Sequence, residues 1–237
     1  MFLPIRDDNP RTRFPAVTLL LIAANVVAFL FELSLDARGQ KLLTLEAGAI
    51  PYEIVHHVDL RPQNLLPVPG SIWTSMFLHG GWMHLIGNMW FLWLFGDNVE
   101  EAMGSFRYVF FYFLVGTAGA LAQAYSMPES TAPMIGASGA IAGVLGGYLM
   151  LYPRARIQTL IMIPFLWPVI AVPAWIFLSL WFFAQFMLGV GSGIAWMAHV
   201  GGFLAGLGAV RLLAHTRRGG PPGASVEYIP PARRASW

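Results

Sequence analysis

Six apolar runs, most of them about 20 residues long, constrain this chain more than any other feature of its sequence. A helix needs roughly 20 predominantly apolar residues to cross the hydrocarbon core of a bilayer. Only 11% of the residues are charged, against about a quarter in an average soluble domain. The pattern predicts an all-α, polytopic membrane protein with six transmembrane helices. The runs lie at about 15–33, 82–95, 106–125, 133–152, 169–188 and 194–213.

The spacing of the runs predicts one membrane domain with short flanks. Residues 1–14 form a short cytoplasmic flank, residues 15–214 the membrane domain, and residues 215–237 a disordered cytoplasmic tail rich in Arg, Gly and Pro. A long external loop, about 34–81, carries both charge signs and short apolar stretches, so we expect amphipathic pieces at the membrane surface. The chain has no cysteine, which excludes disulfides.

Basic residues are distributed unequally between the two sides that six spans would create. Because Lys and Arg concentrate in cytoplasmic loops, both termini are predicted to be cytoplasmic, in a plasma or inner membrane. A net charge of +2, placed beside the spans, gives no reason to expect a nucleic-acid partner. One side has Arg6, Arg11, Arg13, Arg107, Arg154, Arg156, Arg211, Arg217, Arg218, Arg233 and Arg234, and the other has Arg38, Lys41 and Arg61.

Four of the polar side chains that lie within the apolar runs are candidates for function: His84 and Asn88 in the second, Ser138 in the fourth and His199 in the sixth. Polar groups inside a membrane are costly and often functional. The second, fourth and sixth helices would run in the same direction, so all four groups would lie at similar depth near the outer face. Singly, each has an ordinary explanation, such as a serine bonded to its own backbone or an asparagine joining helices. Their convergence favours a site.

Acyl transfer is the chemistry that this set of side chains could perform. Ser138 could be a nucleophile if His199 took its proton. His84 and Asn88 are four residues apart, hence on one helix face, and both could donate to an oxyanion. The backbone N–H of Ser138 would add a donor near a helix N-terminus. Small-residue faces predict close packing of the fourth and sixth helices, at Gly139, Gly143 and Gly147 and at Gly202 and Gly206.

Other catalytic patterns are not found. The sequence has no H-E-x-x-H zinc motif and no pair of aspartates within the runs, so neither a metal nor a cofactor is expected. Residues 136–140 are not a G-x-S-x-G elbow, because position 140 is alanine. We expect His56 and His57 to be solvated in the outer loop, and Asp97, Glu100 and Glu101 to form helix caps and turn contacts.

Three motifs resemble those of the rhomboid family. The run from His79 to Asn88 resembles its H-x4-H-x3-N signature, Gly136-Ala137-Ser138-Gly139 its nucleophile motif, and Ala198-His199 with Gly202 and Gly206 its base motif. The resemblance covers about residues 65–211. It implies a six-helix intramembrane serine protease with a Ser138–His199 dyad, and an oxyanion hole of Ser138 N–H, His84 and Asn88. It also implies that single-span membrane proteins are cut near the outer face, with the fifth helix bordering a lateral entrance.

One position departs from a pattern seen in part of that family. Where some members carry a tyrosine that stacks on the catalytic histidine, this chain has Ala142, so His199 has to be held in another way, with neighbouring aromatic residues as the candidates. Two alternatives remain: a catalytically inactive relative that binds membrane clients, and a transporter with an intramembrane histidine relay. The presence of both Ser138 and His199 favours the protease over the first. The lack of acidic partners in the spans, apart from Glu32 at the end of the first run, disfavours the second.

Overall fold

Each apolar run contains a helix, but the helix of the second run ends later than predicted, at Met103 instead of residue 95, and the helices of the fourth and fifth runs begin later than predicted. The computed structural model describes residues 2–10, 12–60, 67–164, 166–189 and 195–214. Within these ranges the chain is mainly helical, and α1, α5, α6, α7, α8 and α9 correspond to the six runs. In chain order the elements are β1 (Phe2–Asp7), α1 (Ala16–Ser34), α2 (Ala37–Ala47), α3 (Pro51–His56), α4 (Val68–Thr74), α5 (Trp82–Met103), α6 (Ser105–Ser126), α7 (Ser138–Leu151), β2 (Arg156–Ile161), β3 (Val169–Pro173), α8 (Ala174–Gly189) and α9 (Trp196–Leu213).

Three helices in the described ranges are both long and apolar enough to cross a membrane: α1, α6 and α9. Helices α7 and α8 are apolar but shorter, with 14 and 16 residues. Helix α5 has 22 residues and carries acidic side chains in its last turns. The architecture is that of a helical membrane bundle, and the count of six spans stays a prediction.

The expectation of an all-α chain is wrong in one region, where β1, β2 and β3 form an antiparallel sheet. The fifth apolar run was predicted to be helical from residue 169, but α8 begins only at Ala174. Residues 169–173 read Val-Ile-Ala-Val-Pro. β-branched residues favour strands, and the residue before a proline is biased towards extended backbone. The strand and the helix that follows it are equally apolar, so hydrophobicity alone could not show where one ends and the other begins.

Glycines bring α7 and α9 into backbone contact, as their spacing predicted. A Cβ added to Gly202 would lie 2.0 Å from the carbonyl oxygen of Gly139, and one added to Gly206 would lie 1.9 Å from that of Gly143. Both distances are far below van der Waals contact, so side chains larger than hydrogen are excluded at these crossings. The paired positions advance together along the chain, which shows that α7 and α9 run parallel.

The start of α1 and the end of α9 lie at the same end of the bundle. The Glu100 carboxylate at the end of α5 accepts hydrogen bonds from the backbone N–H groups of Val17 and Thr18, at 3.0 and 2.8 Å, and so caps α1. Arg107 at the start of α6 donates to the carbonyl oxygen of Leu213, at 3.1 Å. The predicted capping role of Glu100 is therefore confirmed, and Glu101 likewise accepts from the N–H of Thr12 at 3.0 Å.

The long loop between α1 and α5 contains helical pieces, as expected. Helices α2, α3 and α4 lie in it, and the exposed His56 contacts Glu129 at 3.2 Å. Ala49 exchanges two backbone hydrogen bonds with Met134, of 3.0 and 2.8 Å, which ties the loop to the segment before α7. The tail predicted to be disordered, 215–237, lies outside the described residues, as do Arg11 and Arg61.

Candidate active site

Ser138 is the first residue of α7. The fourth run was predicted to be helical from residue 133, and this boundary is wrong: Gly136 adopts a φ of 120°, a conformation that glycine favours and that stops a helix from starting earlier. The Gly136 N–H donates to the carbonyl oxygen of Ser75 at 2.8 Å, which anchors the turn. At the first position of a helix the Ser138 N–H has no carbonyl partner within the helix, so it is free to bind another acceptor.

The Ser138 hydroxyl lies 2.8 Å from Nε2 of His199. The two residues come from different helices, α7 and α9, and both precede the glycine crossings that bring these helices together. A Cβ on Gly139 would lie 3.5 Å from the carbonyl oxygen of Ala198, so the backbones are close at the level of the pair itself. The structure thus brings together the two residues that the sequence selected as nucleophile and base.

The second ring nitrogen of His199 also has a partner. Nδ1 of His199 lies 2.7 Å from Oε1 of Gln185 in α8, and Nε2 of Gln185 donates to the carbonyl oxygen of Trp181 at 3.0 Å. The Trp181 and His199 rings are 6.2 Å apart, centroid to centroid, at an angle of 39°. The imidazole is therefore held by a hydrogen bond and an aromatic neighbour on α8, and Ala142 supplies neither.

Sequence reasoning missed Gln185, although a signal was available. Gln185 is a polar side chain inside the fifth apolar run, which is the same criterion that selected the other four residues. No motif includes Gln185, and whether its side chain faces His199 depends on how α8 packs against α9.

His84 and Asn88 lie on the first two turns of α5. Nδ1 of His84 accepts a long hydrogen bond, 3.4 Å, from the N–H of Gly80, which leaves Nε2 to carry the proton of the neutral ring. A Cβ on Gly136 would lie 2.7 Å from Nε2 of His84 and 3.7 Å from the Ser138 hydroxyl, so both groups face the Gly136 turn. His84 can therefore present an N–H donor beside Ser138.

Asn88 is buried, with 7% of its surface exposed, and its side-chain Nδ2 has no hydrogen-bond partner within the described part of the chain. A buried donor without a partner costs about 1–3 kcal/mol. Asn88 thus offers a free N–H group on the helix face that also carries His84.

A small, mostly apolar cavity borders Ser138. Its walls include Met134, Ile135, Gly136, Met76, Gly116 and Ala198. In the ranges that the structure describes, no group of three His, Asp or Glu side chains could hold a metal ion. The site therefore consists of a hydrogen-bonded Ser–His pair, nearby N–H donors and a cavity lined by small and flexible side chains.

A protein-family model described as the Rhomboid domain matches residues 70–216, more than half of the chain. The chain belongs to the rhomboid family. This assignment agrees with the resemblance found in the sequence, and it includes all four residues selected there. The chain is accordingly a membrane protein of a family of serine proteases.

Curated relatives carry corresponding names. Rhomboid-like protease 5 of Toxoplasma gondii is 35% identical over 148 residues, which cover 57% of this chain and 15% of that protein. Rhomboid protease GluP of Bacillus subtilis is 34% identical over 139 residues, which cover 57% of this chain and 24% of that protein. Rhomboid protein 1, mitochondrial, of Saccharomyces cerevisiae is 34% identical over 144 residues, which cover 58% of this chain and 40% of that protein. The chain thus matches less than half the length of each of these relatives.

Proposed function

We propose that this rhomboid is an active intramembrane serine endopeptidase with Ser138 as nucleophile and His199 as general base. The observation that carries the proposal is the 2.8 Å distance between the Ser138 hydroxyl and Nε2 of His199. A serine hydroxyl is weakly nucleophilic until a neighbouring base removes its proton, and this distance is within hydrogen-bond reach.

The proposed reaction proceeds in two acyl-transfer steps. The Ser138 oxygen attacks the substrate carbonyl while its proton moves to Nε2 of His199, and the protonated imidazole then gives that proton to the leaving amine. Water then attacks the acyl carbonyl while the same nitrogen takes its proton, and the imidazolium returns that proton to the Ser138 oxygen as the acyl group leaves. The negative charge on the tetrahedral oxygen would be stabilised by the Ser138 N–H, Nε2–H of His84 and the unpaired Nδ2–H of Asn88.

The substrates we propose are proteins with a single membrane span, cut near the outer face of a plasma or inner membrane. The cavity beside Ser138 suits a small side chain before the scissile bond. We propose that the substrate enters from the bilayer between α5 and α8. These two helices meet at Phe91 and Trp181, whose ring centroids are 6.2 Å apart. With six spans and cytoplasmic termini, the end of the bundle that carries Ser138 would face outwards.

The alternative, an inactive relative that binds membrane clients, needs no paired nucleophile and base. A hydrogen-bonded Ser138 and His199 therefore favours the protease. The two proposals separate on covalent labelling, because an acyl-transfer site reacts with a serine-directed fluorophosphonate and a client-binding surface does not.

The test uses purified protein in detergent with a panel of single-span substrates. We expect Ser138→Ala and His199→Ala each to abolish cleavage and labelling of Ser138 while leaving the melting temperature close to that of the wild type. Because the two residues act as a unit, the double variant should be hardly slower than either single one. Appreciable cleavage by Ser138→Ala would refute the mechanism.

A further inference from the structure

Gln185 contacts the candidate base on the side opposite Ser138. We propose that Gln185 is a positioning residue that holds His199 in the tautomer and orientation required for catalysis. The inference rests on the proposed function, because it assigns a role within that same site. It makes α8 a third contributor to the reaction, alongside the helices that carry Ser138 and His199.

The hydrogen bonds of Gln185 determine which of its atoms faces the histidine. A glutamine amide has one acceptor, Oε1, and one donor group, Nε2. Nε2 donates to the carbonyl oxygen of Trp181 at 3.0 Å, so Oε1 is the atom that lies 2.7 Å from Nδ1 of His199. Swapping the two atoms would place Oε1 against the Trp181 carbonyl oxygen, and two acceptors that face each other repel.

An acceptor oxygen at Nδ1 determines the tautomer of the base. Oε1 cannot donate, so Nδ1 of His199 has to carry the ring proton. A neutral imidazole has one N–H, which leaves Nε2 unprotonated and able to accept the Ser138 proton at 2.8 Å. In the opposite tautomer Nε2 would carry hydrogen and could not act as the base.

The position of α8 consequently enters the geometry of the site. Ser138 and His199 lie on α7 and α9, whose backbones are in contact at the glycine crossings. Both groups that hold the imidazole, the Gln185 amide and the Trp181 ring, lie on α8. A displacement of α8 would therefore release the ring without moving the backbone of either reacting residue.

The test measures the tautomer directly. In protein labelled with ¹⁵N-histidine, the ring nitrogen shifts of His199 are assigned by comparison with His199→Ala. We expect the wild type to show a protonated Nδ1 and an unprotonated Nε2. Gln185→Met removes the acceptor at nearly constant volume and should give a mixture of tautomers, whereas Gln185→Glu keeps an acceptor oxygen and should keep the wild-type tautomer.

The same variants are assayed for cleavage. Loss of one positioning hydrogen bond should lower kcat of Gln185→Met about tenfold and leave KM nearly unchanged, and Gln185→Glu should recover most of that loss. Gln123→Met is the matched control: the Gln123 amide also contacts α9, accepting from the N–H of Met197 at 2.9 Å, but it does not contact His199. We expect that control to leave the tautomer of His199 unchanged.

Three results would overturn the inference: an unprotonated Nδ1 in the wild type, an unchanged tautomer in Gln185→Met, or a changed tautomer with an unchanged kcat. The first is read on the wild-type protein and decides the matter even if Gln185→Met does not fold. Failure of the proposed function is distinct, because it would appear as a wild-type protein that cleaves no substrate and takes up no fluorophosphonate, whatever its tautomer.

Discussion

The side chain of Asn88 is one of the donors that we propose for the oxyanion hole. Its Nδ2 is buried and lacks a hydrogen-bond partner within the described ranges, a state that costs stability. Such a donor becomes favourable when negative charge develops beside it, as on the oxygen of a tetrahedral intermediate. The burial of this amide without a partner is consistent with the oxyanion role that we propose for Asn88.

We expect Asn88→Ala to lower the single-turnover rate about 100-fold, near the lower end of what loss of one oxyanion donor costs. Its melting temperature should stay close to that of the wild type, because Nδ2 makes no hydrogen bond to any residue that the structure describes. Asn25→Ala is the control: Asn25 is equally buried, donates to the carbonyl oxygen of Leu21 in its own helix at 2.8 Å, and should keep full turnover. A destabilised but fully active Asn88→Ala would assign Asn88 to helix packing.

The sequence was sufficient to predict a site residue wherever a polar residue belonged to a recognisable motif. Ser138 and His199 were selected from their positions in apolar runs, and the 2.8 Å contact between them follows. Gln185 met the same criterion but was missed. Whether a residue of α8 points at α9 or at lipid depends on the rotation of a helix about its axis, which uniform hydrophobicity does not reveal.

Among the elements, strand β1 makes an unusual polar contact with the bundle. Asp7 accepts hydrogen bonds from the hydroxyl of Tyr148, in α7, and from Nδ2 of Asn98, in α5, at 2.5 and 3.0 Å. Burial raises the pKa of the Asp7 carboxyl to about 7, against the opposing effect of the Tyr148 hydrogen bond. The contact joins the start of the chain to the ends of two helices.

This raised pKa predicts a dependence of stability on pH. In the unfolded chain the Asp7 carboxyl ionises near its ordinary pKa of 3.8, so between about pH 4 and pH 7 the folded protein holds a proton that the unfolded chain has lost. The free energy of unfolding should therefore fall as pH rises through this window and level off above it.

Asp7→Asn keeps the shape and an acceptor oxygen but cannot ionise. We expect the difference between its melting temperature and that of the wild type to grow in favour of Asp7→Asn from pH 5 to about pH 7 and to level off above that. Asp36→Asn, in an exposed residue whose side chain accepts from the N–H of Gly39 at 2.7 Å, controls for the loss of a carboxylate elsewhere. Parallel melting curves for Asp7→Asn and the wild type would show that this carboxyl is ionised in the folded protein.

Element boundaries were predictable only where composition changed together with structure. The regularly spaced glycines correctly predicted the contact of α7 with α9, because only glycine tolerates backbones this close. The sheet was missed because residues 169–173 are as apolar as the helix that follows them. The late start of α7 was missed for the same reason, since residues 133–137 continue an apolar run.

For the whole molecule, the contacts of Glu100 with α1 and of Arg107 with Leu213 place both described ends of the chain on one side. An even number of spans would produce this arrangement, and the distribution of basic residues predicts that the side is cytoplasmic.

Reporter fusions can measure on which side of the membrane the described ends of the chain lie. We expect a fusion after Ala214 to read as cytoplasmic and one inserted between residues 126 and 133 to read as external. A fusion between residues 152 and 156, after α7, is the internal control and should agree with the one after Ala214. An external reading after Ala214 would mean an odd number of spans and would remove the argument that the site residues share one depth.

The sheet also sets an order of events during synthesis on the ribosome. β1 leaves the ribosome before β2, because the N–H of Arg156, which donates to Asp8 beside β1, lies 148 residues further along the chain. At about 5–20 residues per second, the strand waits roughly 7–30 s for its partner. Trp90 can reach it sooner, through the 2.7 Å hydrogen bond to the carbonyl oxygen of Pro4. Residues 2–7 can therefore contact α5 before α7 has been made, but the pairing of β1 with β2 has to wait until α7 and the residues after it have left the ribosome.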